Sequence, residues 1–367
     1  MGFYLVQALQ SLTGKNAVNV QAVVTTRAVF HPRKDGWSQV QSLDQAPATP
    51  VTIAHVLDPY VHRDHVDFLY TTTPADPAVE RAYMDYARKH QIYYITIAKG
   101  ALGDMWEELD PDESWIGYRG TVGGRSLTLP FLAGNHLQRK QAIVYGYWNA
   151  SVATFMAETA RGLAPHEAFR LVQSMRLAEP GSNDYVSFLN LEAGGDYPRK
   201  TRIAYNSSIP ERGGPYLKPE HYEKYIELGP EHIREHIRLG HRFVVCISTV
   251  EGYQPLKVER GAPGSLYAEL NGHTIAGGFV DVKSDVNLAG WIKDMPASNG
   301  VKIIFQNGHN ETGQLEIAGP GAGPDTVWAA IIDMQEHFRR RGIGSARLGS
   351  RERPYQLAHP ELAGPAR

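Results

Sequence analysis

Two lysines and one carboxylate lie at positions where the sequence predicts catalytic or ligand-binding side chains. Lys99 directly follows residues 92–98, whose β-branched and aromatic side chains are typical of a buried strand. A lysine at the carboxyl end of a parallel strand lies at the edge where such sheets bind ligands. Asp196 and Lys200 are four residues apart and would share one face of a helix. The alternatives are a surface lysine at position 99 and an exposed ion pair between Asp196 and Lys200.

The elements that must position these residues fall into two patterns. Residues 18–25, 66–72 and 92–98 read as strands, and residues 77–90 read as an amphipathic helix between the last two. This β-α-β alternation predicts an α/β region with a parallel sheet.

After about residue 125 the pattern predicts an α+β region with mostly antiparallel strands. The predicted helices are residues 150–161, 166–177, 219–239 and 326–338. The predicted strands are residues 138–147, 242–250, 255–260, 273–282 and 301–306. Residues 339–367 are polar and rich in Arg and Pro, which is typical of a mobile tail.

Composition excludes several classes of protein. The 367 residues are 42% apolar, enough to bury a core, and their formal net charge of -2 argues against a nucleic acid or an anionic membrane as partner. Cys246 is the only cysteine, so no intramolecular disulfide can form, and this favours a cytoplasmic location. We see no apolar run of the roughly 20 residues needed for a bilayer span and no signal peptide.

Two histidine-containing segments invite a metal interpretation. His232 and His236 flank Glu235 in the H-x-x-E-H spelling of inverted zinc peptidases. Their segment is polar on all sides, and such a site also needs a third protein ligand, so we predict a solvated helix and no metal site. The segment 62–65, with two further histidines, reads as a solvated loop, and the arginines at 339–341 read as a basic helix end.

A series of short motifs resembles homoserine dehydrogenases in order and spacing, over about residues 2 to 340. The motifs are Thr73-Pro74 after a strand, Ala98-Lys99-Gly100, Val122-Gly123-Gly124, Asn149-Ala150-Ser151, Ala178-Glu179-Pro180, a Gly-x-Asp-x-x-x-Lys segment at 194–200, and Gly-Pro-Gly-Ala-Gly at 319–323.

The resemblance implies an NAD(P)-dependent oxidoreductase that interconverts L-homoserine and L-aspartate 4-semialdehyde, on the route to threonine and methionine. It implies a Rossmann-like nucleotide-binding domain at 1–125, an α+β substrate-binding and dimerisation domain at 126–318, a helix at 319–344 that returns to the first domain, and a tail at 345–367. We therefore expect a homodimer with a small amino-acid substrate and NADP or NAD as cofactor.

The resemblance also assigns site residues. The catalytic lysines would be Lys99 and Lys200, and the substrate-binding acids would be Glu179, Asp196 and Asp184. The cofactor-binding residues would be Gly2, Arg27, Thr73, Pro74, Lys99 and Gly321, with Arg27 placed to meet the 2'-phosphate of NADP or, alternatively, solvated.

Departures from the family pattern bear on activity. Gly2 would be the last glycine of the Gly-x-Gly-x-x-Gly loop, so the first strand and the rest of that loop are missing, and we expect weak cofactor binding. Arg119 replaces a glutamate that helps to hold a monovalent cation. Six additional residues separate Glu179 from Asp196. The alternatives are a non-catalytic dimeric relative that has lost cofactor binding and a dehydrogenase that acts on another amino-acid aldehyde.

Overall fold

A computed structural model describes residues 20, 22–25, 27–33, 36–64, 67–72, 76–111, 114–123, 128–135, 141–178, 181–209, 214–251, 256–283, 299–306, 312–319 and 323–340. The helices are α1 (Pro50–Asp64), α2 (Pro77–Lys89), α3 (Gly100–Asp104), α4 (Trp106–Leu109), α5 (Thr128–Asn135), α6 (Ala150–Ala160), α7 (Pro165–Ser174), α8 (Tyr185–Leu191), α9 (Tyr197–Ser207), α10 (Pro230–Arg238) and α11 (Gly323–Arg340). The strands are β1 (Val23–Val24), β2 (Ala28–Arg33), β3 (Gly36–Ser42), β4 (Phe68–Thr71), β5 (Tyr93–Thr96), β6 (Ile116–Gly117), β7 (Gln141–Tyr147), β8 (Arg242–Ser248), β9 (Leu266–Leu270), β10 (His273–Val280), β11 (Asn299–Gln306) and β12 (Thr312–Gly319).

The predicted β-α-β unit forms a parallel sheet in the order β4-β5-β6. Helix α2 crosses from β4 to β5 and begins as its sequence predicts, because the Asp76 carboxylate accepts hydrogen bonds from the Ala78 and Val79 N–H groups and Pro77 needs no donor there. The carboxyl ends of β5 and β6 therefore point to the same edge of this sheet.

The strand predicted at residues 18–25 is different in the structure. Only Val23–Val24 is a strand among the described residues of this segment, and it pairs antiparallel with β2 in a separate β1-β2-β3 sheet. The Thr25 side chain closes the turn by donating to the Ala28 carbonyl at 3.0 Å and accepting from the Ala28 N–H at 3.1 Å. Strand β2 has only three consecutive apolar residues (Ala28–Phe30) and β3 has no apolar run, so their composition does not indicate this hairpin.

The second half of the chain forms a six-stranded antiparallel sheet in the order β12-β11-β7-β8-β10-β9, which confirms the predicted antiparallel pairing. Strand β9 occurs where the sequence analysis predicted no strand, joined to β10 by Asn271 and Gly272, both with positive φ angles (51° and 77°) that suit a tight hairpin. The strand predicted at 255–260 is wrong for residues 256–260, which form no strand.

The long helix predicted at 219–239 is also wrong. A 3₁₀ turn spans Pro219–His221, the chain then runs extended, and α10 begins only at Pro230. Proline at the first turn of a helix has no N–H to donate to a preceding turn, so Pro230 starts a helix here instead of continuing one.

Helix α11 packs on the parallel sheet. Ala330, Ile331 and Met334 bury their side chains against Tyr93 and Ile95 of β5. A larger apolar cluster includes residues of both the parallel and the antiparallel sheet, so the two predicted domains share packing contacts. None of the described helices combines the length and the apolar composition needed to cross a bilayer.

Candidate active site

Lys99 lies where the sequence predicts it, between β5 and α3 at the carboxyl edge of the parallel sheet. Its Nζ atom is 3.1 Å from Asp196 Oδ1, which belongs to a segment almost one hundred residues further along the chain. The side chain of Lys99 is only 19% exposed and that of Asp196 only 11%, so this ion pair lies largely out of water. This burial excludes the surface-lysine alternative for Lys99.

Asp196 and Lys200 form the i, i+4 contact that the sequence predicts. Lys200 Nζ is 2.8 Å from Asp196 Oδ2, and the Lys200 side chain is 10% exposed. Glu192–Asp196 form one π-helical turn that leads into α9, and such turns occur frequently at functional sites. The Asp196–Lys200 ion pair is therefore buried, which excludes the alternative of an exposed ion pair.

Asn149, at the start of α6, joins these side chains. Its Oδ1 atom accepts a hydrogen bond from Lys200 Nζ, and its Nδ2 group donates to Asp196 Oδ2 at 2.7 Å and to the Glu192 carboxylate. Lys200 Nζ also donates to the carbonyl oxygen of Trp148 at 3.1 Å. The amide thus uses its acceptor on the lysine and both of its donors on carboxylates, which fixes the orientation of the group.

Glu192 is a site residue that the sequence analysis missed. It is buried at 1% exposure, and its second oxygen accepts a hydrogen bond from the Ser151 hydroxyl at 2.6 Å. It lies four residues before Asp196, the same spacing that pointed to Lys200, so this spacing could have indicated it. The cluster formed by Lys99, Asn149, Glu192, Asp196 and Lys200 is called the Lys-Asp-Lys cluster below.

The charge of Asp196 is set by its two lysines. Burial opposes ionisation of the carboxyl group, but Lys200 and then Lys99 outweigh it and hold the pKa of Asp196 well below its ordinary value of 3.8. Asp196 is therefore a carboxylate at neutral pH, and it is the counter-ion that both lysines share.

Two buried groups next to the Lys-Asp-Lys cluster in sequence, the Trp148 indole N–H and the Tyr197 hydroxyl, find no acceptor for their hydrogen among the described residues. Burial, and after it the nearby Glu192 carboxylate, raises the pKa of Tyr197 well above its ordinary value, so the hydroxyl keeps its proton. Both side chains are fully enclosed, and the Tyr197 ring stacks on Phe243 with centroids 5.6 Å apart, so the two donors belong to the packing behind the cluster.

Asp184 and Arg27 lie in other settings. The exposed Asp184 carboxylate accepts hydrogen bonds from the Val186 and Ser187 N–H groups at 2.9 and 2.7 Å and caps α8. Arg27 is exposed in the turn between β1 and β2, so it follows an antiparallel strand and not a strand of the parallel sheet. Five further predicted site residues lie outside the described residues: Gly2, Thr73, Pro74, Glu179 and Gly321.

Arg119 joins β6 to α11. Its backbone N–H donates to Asp333 Oδ2 and its Nε to Asp333 Oδ1, both at 2.9 Å, and its Nη2 is 3.6 Å from Glu336. The positive charge that Arg119 brings to this position is thus neutralised by carboxylates of helix α11.

The motif that contains His232 and His236 lies on α10, where this helix contacts the antiparallel sheet. His236 stacks on Phe279 with ring centroids 4.6 Å apart, and its Nδ1 is 3.0 Å from His241 Nδ1. Within the described residues, no three His, Cys, Asp or Glu side chains are grouped so that they could hold a metal ion.

Comparison with known proteins finds similarity in structure. No protein-family model matches the sequence, and no curated protein matches it. A homoserine dehydrogenase from Thermoplasma acidophilum superposes with a TM-score of 0.58 at 13% identity, over 92% of this chain and 96% of that one. A hyperthermophilic archaeal homoserine dehydrogenase in complex with NADPH gives a TM-score of 0.57 at 14% identity, over 92% and 94%.

A protein of unknown function from Candida auris gives a TM-score of 0.62 at 13% identity, over 92% of this chain and 95% of that one. The similar solved structures are mostly homoserine dehydrogenases. The chain therefore has the mixed α/β fold found in homoserine dehydrogenases.

Proposed function

We propose that this protein is an NAD(P)-dependent oxidoreductase that interconverts L-homoserine and L-aspartate 4-semialdehyde. The observation that carries the proposal is the convergence of Lys99 and Lys200 on Asp196. Lys99 comes from a segment distant from Asp196 and Lys200, and the resemblance assigned roles to all three residues. Their burial at the carboxyl edge of a parallel sheet is the setting in which such folds perform chemistry.

Lys200 is the proton donor in this proposal. When an aldehyde is reduced, the carbonyl oxygen becomes an alkoxide and takes up a proton. The three N–H groups of the Lys200 ammonium contact Asp196, Asn149 and the Trp148 carbonyl, and in this proposal the substrate oxygen replaces one of these acceptors and takes the proton. In the oxidation of homoserine the same nitrogen receives the proton from the hydroxyl group.

Carboxylates of the site hold the ammonium group of the substrate. Asp196 remains ionised at neutral pH and can attract a third cation in addition to its two lysines. Glu179, assigned by the resemblance, would provide a second carboxylate. Glu192 is fully engaged by Asn149 and Ser151, and in this proposal it orients Asn149.

The proposal includes a nicotinamide cofactor, since a similar hyperthermophilic archaeal homoserine dehydrogenase was solved in complex with NADPH. Lys99 adds a positive charge at the sheet edge where the pyrophosphate and the nicotinamide would lie. The bound cofactor would supply or accept the hydride. In this proposal, the parallel sheet belongs to the nucleotide-binding domain and the antiparallel sheet to the substrate domain.

The test is turnover by the purified chain. Because cofactor binding is expected to be weak, the assay uses a high concentration of NADP or NAD, at which we expect L-homoserine to be oxidised and a panel of other amino alcohols to react more slowly. Titration with NADPH, followed by its fluorescence, measures cofactor binding separately. NADPH binding with turnover of another amino alcohol would identify a related dehydrogenase. Absence of both binding and turnover would identify the non-catalytic relative and contradict the proposal.

A further inference from the structure

A buried carboxylate lies behind the turn that presents Lys99. Glu80, on α2, is completely buried, and its two oxygens accept hydrogen bonds from the backbone N–H groups of Gly100 at 3.3 Å and Ala101 at 2.7 Å. These are the first N–H groups of α3, which would otherwise lack partners. Lys99 occupies the cap position of α3, and its own side chain makes no capping hydrogen bond. Glu80 therefore caps α3 from a different helix.

This arrangement connects α2 to the candidate active site through Lys99. The side chain of Lys99 leaves the chain directly before Gly100 and reaches Asp196 at 3.1 Å. A rotation of the peptide groups at Gly100 and Ala101 would move the Cα atom of Lys99, and its Nζ atom would leave Asp196. No other described side chain accepts hydrogen bonds from these two N–H groups.

Glu80 changes its charge near neutral pH. Burial raises its pKa to about 7, although the N–H groups of Ala101 and Gly100, then Arg199 on α9 and Lys99, act in the opposite direction. Tyr94 of β5 also lies within its electrostatic reach. A carboxylate accepts N–H hydrogen bonds more strongly than a carboxylic acid does, so the hold on the turn strengthens as Glu80 ionises.

We propose that Glu80 is a positioning residue, which fixes the strand-to-helix turn so that Lys99 reaches Asp196. The inference goes beyond the proposed function, but its kinetic readout rests on that function, because Lys99 acts there in the site. Two readouts that need no turnover are therefore included.

The first experiment compares the native chain with Glu80→Gln. The glutamine places an NH₂ group against one of the two backbone donors, so we expect the Gly100 and Ala101 amides to exchange with deuterium about tenfold faster. Acylation of Lys99 by acetic anhydride, followed by mass spectrometry of its peptide, should also become faster as the ion pair with Asp196 loosens. Asp85→Asn, which removes an exposed carboxylate from the same helix, is the matched control and should change neither rate.

Unchanged exchange at Gly100 and Ala101 together with unchanged acylation of Lys99 in Glu80→Gln would overturn the proposal. If this variant does not fold, the native chain provides the second measurement. After correction for the intrinsic pH dependence of exchange, protection of the Gly100 and Ala101 amides should rise as the pH passes through about 7. Protection in α6 should not follow this change. Equal behaviour of the two segments would likewise contradict the role of Glu80.

The kinetic experiment separates positioning from general stability. We expect Glu80→Gln to lower kcat about tenfold, to change the KM for the aldehyde by less than about twofold, and to remove an inflection near pH 7 from the rate profile. A variant that is merely less stable would keep the inflection, and that result would count against Glu80. Absence of turnover by the native chain would contradict the proposed function alone, since exchange and acylation would still decide on Glu80.

Discussion

At the scale of single residues, Lys200 has the sharpest predicted effect. Lys200→Ala should lower kcat by roughly 10²-fold or more, because general acid catalysis typically contributes that much. The affinity for NADPH should stay nearly unchanged, as measured by fluorescence titration. Lys89→Ala, at an exposed position on α2, is the control and should turn over substrate at the native rate. Native turnover by Lys200→Ala would remove Lys200 from the mechanism.

The structure changes the expectation for Asp196. The resemblance assigns it to the substrate ammonium, so its loss should chiefly raise KM. In the structure it neutralises Lys99 and Lys200 and accepts from Asn149. We therefore expect Asp196→Asn to lower kcat as well as to raise KM, in steady-state kinetics. A change confined to KM would show that the lysines do not depend on this carboxylate.

The pH dependence of the Asp196 variant follows from the same contacts. The pKa of Asp196 in the folded protein is below 3.8, so its contribution to stability is present above pH 3.8 and is lost only as the pH falls through the lower folded value. The difference in unfolding free energy between the native chain and Asp196→Asn should thus be constant between about pH 5 and 8. Denaturant titrations at several pH values measure this difference.

At the scale of elements, the π-helical turn carries Glu192 and Asp196 and contains two adjacent glycines with different surroundings. A Cβ atom at Gly194 would lie 2.8 Å from the Tyr225 ring, whereas a Cβ at Gly195 would meet no atom within 4 Å. The Tyr225 hydroxyl donates to Asn190, which restrains the ring.

Gly194→Ala should therefore lower the unfolding free energy by about 1–3 kcal/mol, the usual range for overpacking, and lower activity with it. Gly195→Ala is the matched control, and it should be neutral or slightly stabilising because alanine favours helix more than glycine does. Chemical denaturation and the steady-state rate measure both effects. Equal stability of the two variants would show that the contact with Tyr225 does not constrain this turn.

At the scale of the whole molecule, Asp333 attaches helix α11 to the parallel sheet. It is 4% exposed, accepts two hydrogen bonds from Arg119, and lies where a Cβ at Gly117 would come within 2.6 Å. Asp333→Asn should lower the unfolding free energy by about 2 kcal/mol, because a buried hydrogen bond to a charged group is lost. Arg339→Gln on the same helix, whose arginine is 67% exposed, should change it by less than about 0.5 kcal/mol.

The homodimer remains a prediction. The resemblance implies it, and the many apolar residues of the strands between residues 242 and 306 would favour a partner surface, but in the structure Phe243–Ser248 of β8 are all buried within one chain. The apolar residues of β8 therefore do not need a second chain to cover them. Sedimentation at micromolar concentration is expected to show a dimer, and a monomer whose size does not change on dilution would contradict it.

The sequence by itself determined the local helices and strands, and those side-chain pairs whose spacing places them on one helix face. Turn chemistry and hydrophobic periodicity indicated α2, β5 and α6, because such signals act over a few residues. The four-residue spacing of Asp196 and Lys200 likewise predicted their contact, since neighbours on one helix face are fixed by local geometry.

Only the tertiary structure decided which distant residues meet. Glu80 beneath the Lys99 turn and Asp333 on Arg119 join segments separated by about 20 and by more than 200 residues, and no local pattern encodes such pairs. The β1–β2 hairpin and the broken segment before Pro230 also depend on where the chain packs and not on its periodicity. Burial is the physical reason. From the sequence, Asp196 and Lys200 could form an exposed surface pair, but in the structure both are buried, and their charges interact more strongly away from water. Burial is a property of the whole fold, so the local sequence does not reveal it.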